Sequence, residues 1–214
     1  MSAILDAESA RLVEKIAAIA AAGVDWVQIR EKDLGARQLA ELAREAITRV
    51  PSTRVIVNDR VDVAIAEGAG GAHLGEAGLP VADVERWVKL ATTGHSGSDR
   101  VDKLLFSLGT SNDFLVGASC HSLEDAKAAM RDGADYIFFG PVFATPSKAK
   151  FGKPQGVKKL ASVCGAVSVP VIAICGVTLA NAGECIAAGA AGIAAIRLFQ
   201  DAADPAQIVS TLKN

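Results

Sequence analysis

At 214 residues the chain is long enough for one domain with a large buried core, and its formal charge of −2 supplies no broad basic field for a nucleic-acid surface. Half of the residues are hydrophobic but only 5% are aromatic, so Ala, Val, Ile and Leu must do the packing. No apolar run is long enough to span a bilayer, and the N-terminus lacks the basic segment and apolar stretch that mark secretion.

The pattern alternates from the start. Helical spacing is predicted over 7–22, 36–49, 61–67, 81–90, 123–132, 157–164, 179–188 and 205–212. Between these lie strand candidates at 26–30, 54–58, 72–74, 115–119, 136–139, 171–174 and 193–196. Ser122 and Thr178 stand where N-caps belong. One unit recurs, a helix of small apolar residues, a glycine and then a strand, with Gly23, Gly68, Gly133 and Gly189 closing the helices. The strands are nearly continuous apolar runs, as in a parallel sheet buried on both faces. Such alternation means a (β/α)₈ barrel or a doubly wound sheet. No G-x-G-x-x-G follows an early strand, so the expectation is an α/β (β/α)₈ TIM barrel, one domain over 1–214.

Two features depart from a regular barrel. Only Met1-Ser2-Ala3-Ile4-Leu5 precedes the first helix, a poor strand, so the expectation is a first strand that is missing or degenerate, with either the true start upstream or something else filling the gap. The unpaired edge this leaves would make self-association into a homo-oligomer attractive. The stretch 92–113 is long for an αβ connection, and His95 within it reads as a solvated loop residue on the face away from the chemistry. Cys120, Cys164, Cys175 and Cys185 have no C-x-x-C spacing and no His at a zinc-ligand interval, so they read as free thiols in a reducing cytosol. A cytoplasmic protein is expected.

Polar clusters follow the strands, where a barrel assembles its active site. Strand alternation puts Gln28 and Arg30 on one face, with Lys32 just beyond; an amide, a guanidinium fork and a mobile cation suit a phosphate. The bland alternative is a buried Arg30–Glu31 pair. Asn58, Asp59 and Arg60, at the end of the next strand, form a second cluster suited to phosphate. A carboxylate among phosphate-binding cations makes sense with Mg²⁺ between them, although Asp59 could equally cap the helix at Val61. Ser119 and His121 share a face and could bind substrate or move a proton, or His121 could be structural. The longest βα loop carries Thr145, Pro146, Ser147 and Lys148, enough hydroxyl and cationic groups for a phosphate-binding lid. Gly176 and Arg197 follow the last two strands, where many barrels hold phosphate.

Several motifs in order resemble thiamine phosphate synthase and its paralogue, the TenI-type thiazole tautomerase. They are Val27-Gln28-Ile29-Arg30-Glu31-Lys32-Asp33, Val57-Asn58-Asp59-Arg60-Val61-Asp62-Val63-Ala64 and Gly71-Ala72-His73-Leu74-Gly75. Further matches are Gly117-Ala118-Ser119-Cys120-His121-Ser122, Asp135-Tyr136-Ile137-Phe138-Phe139-Gly140-Pro141-Val142-Phe143 and Ala173-Ile174-Cys175-Gly176-Val177-Thr178. The resemblance implies a (β/α)₈ barrel that joins hydroxymethylpyrimidine diphosphate to a thiazole phosphate and releases pyrophosphate with Mg²⁺. It implies that Gln28, Arg30, Lys32 and Asn58 hold the pyrimidine diphosphate, with Ile29 and Glu31 of the same run beside them. Asp59 would bind Mg²⁺, and Ser119 and Lys148 would contact the leaving pyrophosphate. Thr145, Pro146, Ser147 and Gly176 would meet the thiazole phosphate, with Ile196 and Arg197 nearby. Arg30, Lys32, Lys148, Ser119 and His121 are the expected catalytic set.

The chain also departs from the family pattern. The second metal carboxylate position is Gly78, leaving Glu76 as the nearest acid, and Arg197 stands where a small hydroxyl residue is usual. The retained Gln28, Lys32, Asp59 and Lys148 favour the transferase, because a tautomerase has no diphosphate to hold. Gly78 favours the tautomerase, with His121 as acid–base and no metal. A catalytically silent binder of phosphorylated small molecules is the third reading.

Overall fold

The structure, a computed structural model, describes residues 7–92, 114–145 and 153–213. Their contacts gather into two compact units, Met1–His73 with Gly78–Leu115, and Leu74–Ala77 with Val116–Asn214.

The first unit holds α1 (Ala7–Ala21), β1 (Trp26–Ile29), α2 (Ala36–Arg49), β2 (Arg54–Asn58), α3 (Val61–Ala66), β3 (Gly71–Leu74, as far as His73) and α4 (Val81–Thr92). β1 pairs parallel with β2, and β2 with β3, in a register that sets Gln28 beside Ile56 and Asn58 beside His73. Val55, Ile56 and Val57 are all buried, which is why this run is a central strand. α2 forms because Leu39, Leu42, Ala43 and Ala46 recur at helical spacing and pack inward. Arg44 on its outer face grips Glu67 through two parallel 2.8 Å bonds, tying α2 to the end of α3.

The second unit contains β4 (Leu115–Cys120, from Val116), α5 (Leu123–Arg131), β5 (Tyr136–Phe139), α6 (Gly156–Cys164), β6 (Val171–Ile174), α7 (Ala182–Ala187), β7 (Gly192–Ala194), α8 (Arg197–Gln200) and α9 (Pro205–Lys213). β4, β5, β6 and β7 pair in that order, every pair parallel. All four residues of β5 are buried. Ser122 caps α5 as expected, its hydroxyl accepting the Asp125 N–H at 3.0 Å.

The four glycines of the sequence repeat all take the left-handed turn, with φ of 92° at Gly23, 68° at Gly68, 102° at Gly133 and 95° at Gly189. Three shifts from the expected boundaries bear on the candidate site. β1 stops at Ile29, leaving Arg30 beyond the strand. The strand expected over 193–196 is Gly192–Ala194, because Gln200 N–H closes back on the Ile196 carbonyl at 2.8 Å and starts a short helix there. The helix expected from residue 179 begins at Ala182, and Thr178 is not its cap. Asn181 accepts the Thr178 N–H at 2.7 Å and donates to the Gly176 carbonyl at 3.1 Å, which winds 176–181 into a turn first.

The expected weak strand at the N-terminus and the segment 93–113 with His95 lie outside the described residues. Among the described residues no helix is long and apolar enough to cross a membrane. All four cysteines are free thiols.

Candidate active site

In the first unit the strand ends deliver a connected polar row. Gln28, near the end of β1, donates from Nε2 to Asn58 Oδ1 at 2.8 Å. Asn58, the last residue of β2, donates from Nδ2 to Asp59 Oδ2 at 2.7 Å. Asp59 turns the chain with a φ of 60°, uncommon for a residue with a side chain, and its N–H is held by the His73 carbonyl at 2.8 Å. The capping alternative for Asp59 does not hold: α3 is capped at Arg60 without a side-chain bond. Arg60 turns away to Asp62 in a two-pronged pair of 2.8 and 2.6 Å, so its fork is engaged within the turn. That hydrogen bond holds the Asp62 carboxyl below the usual carboxylate range.

His73 is the group that sequence reasoning left without a role. It lies fully buried in β3, and burial pushes its imidazole down to about 4 while the charge of Asp59 pulls the other way. The signal was present as an ionisable residue in the middle of an apolar strand.

Arg30, Glu31 and Lys32 are all exposed beyond β1, so the buried Arg30–Glu31 pair is not formed. Ile29 is different: its side chain belongs to the core, leaving only its main chain to meet a ligand. Gly78 lies exposed before α4.

In the second unit Ser119 is half-buried in β4, Cys120 points into the core and His121 follows immediately. Burial raises the Cys120 thiol to about 12, which makes it an inert core residue. His121 Nδ1 lies 2.5 Å from the Gly140 carbonyl; a carbonyl only accepts, so the proton sits on Nδ1. Its Nε2 faces Glu76 Oε2 at 3.9 Å.

The stem of the long βα loop is pinned at both ends. Gln155 and Gly156 donate to the Pro141 and Val142 carbonyls at 2.7 and 3.0 Å, and Val142 and Phe143 donate to Ile174 and Cys175 at 3.1 Å each. Gly176 has φ of 71°, and a Cβ there would stand 2.7 and 2.8 Å from the Phe143 and Ala144 carbonyl oxygens. Glycine is therefore required at this position by the packing of one strand-end loop on the next. Thr145 is half-buried beside the stem, whereas Pro146, Ser147 and Lys148 lie outside the described residues. Ile196 is exposed and precedes Arg197, the exposed first residue of α8.

Asp59 fits the Mg²⁺ that the family implies. The ion takes hard oxygen donors and is commonly held by one or two carboxylates, with water and substrate phosphate completing its shell. Among the described residues no group of three or more His, Cys, Asp or Glu is gathered for a metal. Gly78 offers no side-chain donor, and Glu76 is turned to His121.

Parallel strands alternating with helices, with polar groups at the strands' carboxyl ends, define the class of (β/α)₈-type enzymes. A family model described as thiamine monophosphate synthase matches residues 1–199. The chain belongs to that family. It is 44% identical to a putative thiamine-phosphate synthase of Geobacter sulfurreducens over 86% of this chain and 78% of the relative. It is 36% identical to the thiamine-phosphate synthase of Moorella thermoacetica over 94% and 86%. Among solved structures, the thiamine phosphate pyrophosphorylase of Pyrococcus furiosus superposes with a TM-score of 0.76 at 27% identity, over 98% of this chain and 89% of that one. A 3-hexulose-6-phosphate synthase at 19% identity shares the fold, with a TM-score of 0.61 over 94% and 93%.

Proposed function

We propose that the chain is a thiamine phosphate synthase, a transferase that joins hydroxymethylpyrimidine diphosphate to a thiazole phosphate and releases pyrophosphate. The observation that carries this reading is its likeness, over most of its length, to proteins named for that enzyme, at 36–44% identity.

In this reading the carbon–oxygen bond between the pyrimidine methylene and the diphosphate breaks, and the thiazole nitrogen forms the new carbon–nitrogen bond. The leaving anion gathers charge as it departs, so Arg30, Lys32, Lys148 and Ser119 act by stabilising it. Gln28 and Asn58, with the main chain of Ile29 and Glu31, position the pyrimidine diphosphate. Thr145, Pro146, Ser147 and Gly176, with Ile196 and Arg197, hold the thiazole phosphate near the reacting carbon, where orientation lowers the barrier. Asp59 would hold Mg²⁺, which when bound neutralises diphosphate charge. The working protein is one cytoplasmic barrel domain acting on small molecules.

The test is pyrophosphate release by the purified chain with each substrate alone and with both, at several Mg²⁺ concentrations. Release that needs both substrates and the metal supports the synthase. A second reading draws on His121, whose Nδ1 proton is committed to the Gly140 carbonyl, leaving Nε2 as the basic nitrogen. Isomerisation of a thiazole phosphate without pyrophosphate release would replace the synthase with a tautomerase. Binding without either conversion would leave a silent binder.

A further inference from the structure

We infer that Gln28 and Asn58 form an amide relay that aims the Asp59 carboxylate, making both of them positioning residues for a divalent cation. The inference rests on the synthase reading only in taking Asp59 as the cation's ligand.

The direction of the relay follows from chemistry. A carboxylate can only accept, so the Asn58 atom 2.7 Å from Asp59 Oδ2 must be the Nδ2 amide nitrogen. That turns Asn58 Oδ1 the other way, where it can only accept, and the group meeting it at 2.8 Å must be the Gln28 amide nitrogen. One negative charge therefore sets the orientation of two amides on neighbouring strands. The main chain of Asp59 is already fixed by its left-handed turn and its bond to the His73 carbonyl. Side-chain rotation of Asp59 is then what has to be set, and Asn58 restrains it through a charge-assisted bond. Gln28 in turn keeps Asn58 from rotating. Both bonds are partly buried, where water competes poorly for them.

Coupling of this kind is reciprocal. A change at Gln28, two hydrogen bonds from the carboxylate, must alter metal affinity even with no substrate present. A Gln28 that only touched substrate would leave that affinity unchanged.

The experiment is a Mn²⁺ titration of the full chain followed by electron paramagnetic resonance, without substrates. Gln28→Met keeps the side chain's size and removes its donor. Gln28→Leu is the second variant, should the first fold poorly, because it donates nothing to Asn58 and brings no charge to the cation. Expected is a several-fold weakening of Mn²⁺ binding in either Gln28 variant, and a weakening of about 10–100-fold in Asn58→Leu, the usual range for groups that orient a metal ligand. Asp59→Asn should remove the site. Wild-type affinity in both Gln28 variants would overturn the relay, as would wild-type binding no tighter than that of Asp59→Asn. If wild-type protein releases pyrophosphate while the Gln28 variants bind Mn²⁺ normally, the relay fails and the synthase stands. If the variants weaken Mn²⁺ binding but wild-type protein releases nothing, the relay stands and the synthase fails.

Discussion

Acid should destabilise this protein in part through His73. Its imidazole is buried in β3 and held at about 4 in the folded protein, against about 6.5 when exposed in the unfolded chain. As pH falls, the unfolded chain takes up the proton first, so it binds more protons than the folded one between those two values. The His73 contribution therefore rises with pH in this window: it is fully present above 6.5, is lost as pH falls towards 4, and changes no further below that. Integrating across the whole shift gives about 3 kcal/mol, and the part lost between pH 7 and pH 5 is about 2 kcal/mol. A loss of that size is a sizeable share of a typical domain's stability. The assay is urea denaturation at pH 7 and pH 5, for the wild type and for His73→Gln, an uncharged residue of similar reach. The variant should lose about 2 kcal/mol less than the wild type between the two pH values. Equal losses in the two proteins would refute the argument, because the proton uptake would then belong to other groups.

Three further outcomes are expected. Gly176→Ala should cost about 2 kcal/mol or more in chemical denaturation, since it adds left-handed strain and sets a Cβ against two carbonyl oxygens. Asp59→Asn should leave the fold intact by circular dichroism and lower pyrophosphate release by roughly 100-fold, as expected when a charge-neutralising ligand is lost. Gly78→Asp should place a carboxylate at an exposed position that has none and lower the Mg²⁺ concentration giving half-maximal release several-fold, read from Mg²⁺ titrations of the same assay.

Much of the fold was legible because its signals are local. Apolar runs such as Tyr136–Phe139 and Val171–Ile174 identified strands to the residue, and so did the helical spacing of Leu39, Leu42, Ala43 and Ala46 for α2. Glycine at helix ends was readable for a similar reason, since a left-handed residue is a local demand. Errors fell where a hydrogen bond took a group that the pattern had assigned elsewhere. Thr178 looked like a cap, but Asn181 took its N–H; Ile196 looked like strand, but the turn of α8 claimed its carbonyl. Arg60 read as part of a phosphate cluster until the structure turned it onto Asp62.

The sequence by itself determined the alternation of strands and helices, the family, and which kinds of chemical group end each strand. These are properties of period, composition and motif, and they survive without knowledge of what touches what. Only the tertiary structure decided which of those groups act together. Gln28 and Asn58 are 30 residues apart and meet because β1 and β2 pair in one particular parallel register. His121 finds the Gly140 carbonyl across β4 and β5 in the same way, and His73 becomes a neutral buried base only in the folded chain. Hydrogen bonds and desolvation act over a few ångströms of space, and separation along the chain carries no record of that distance.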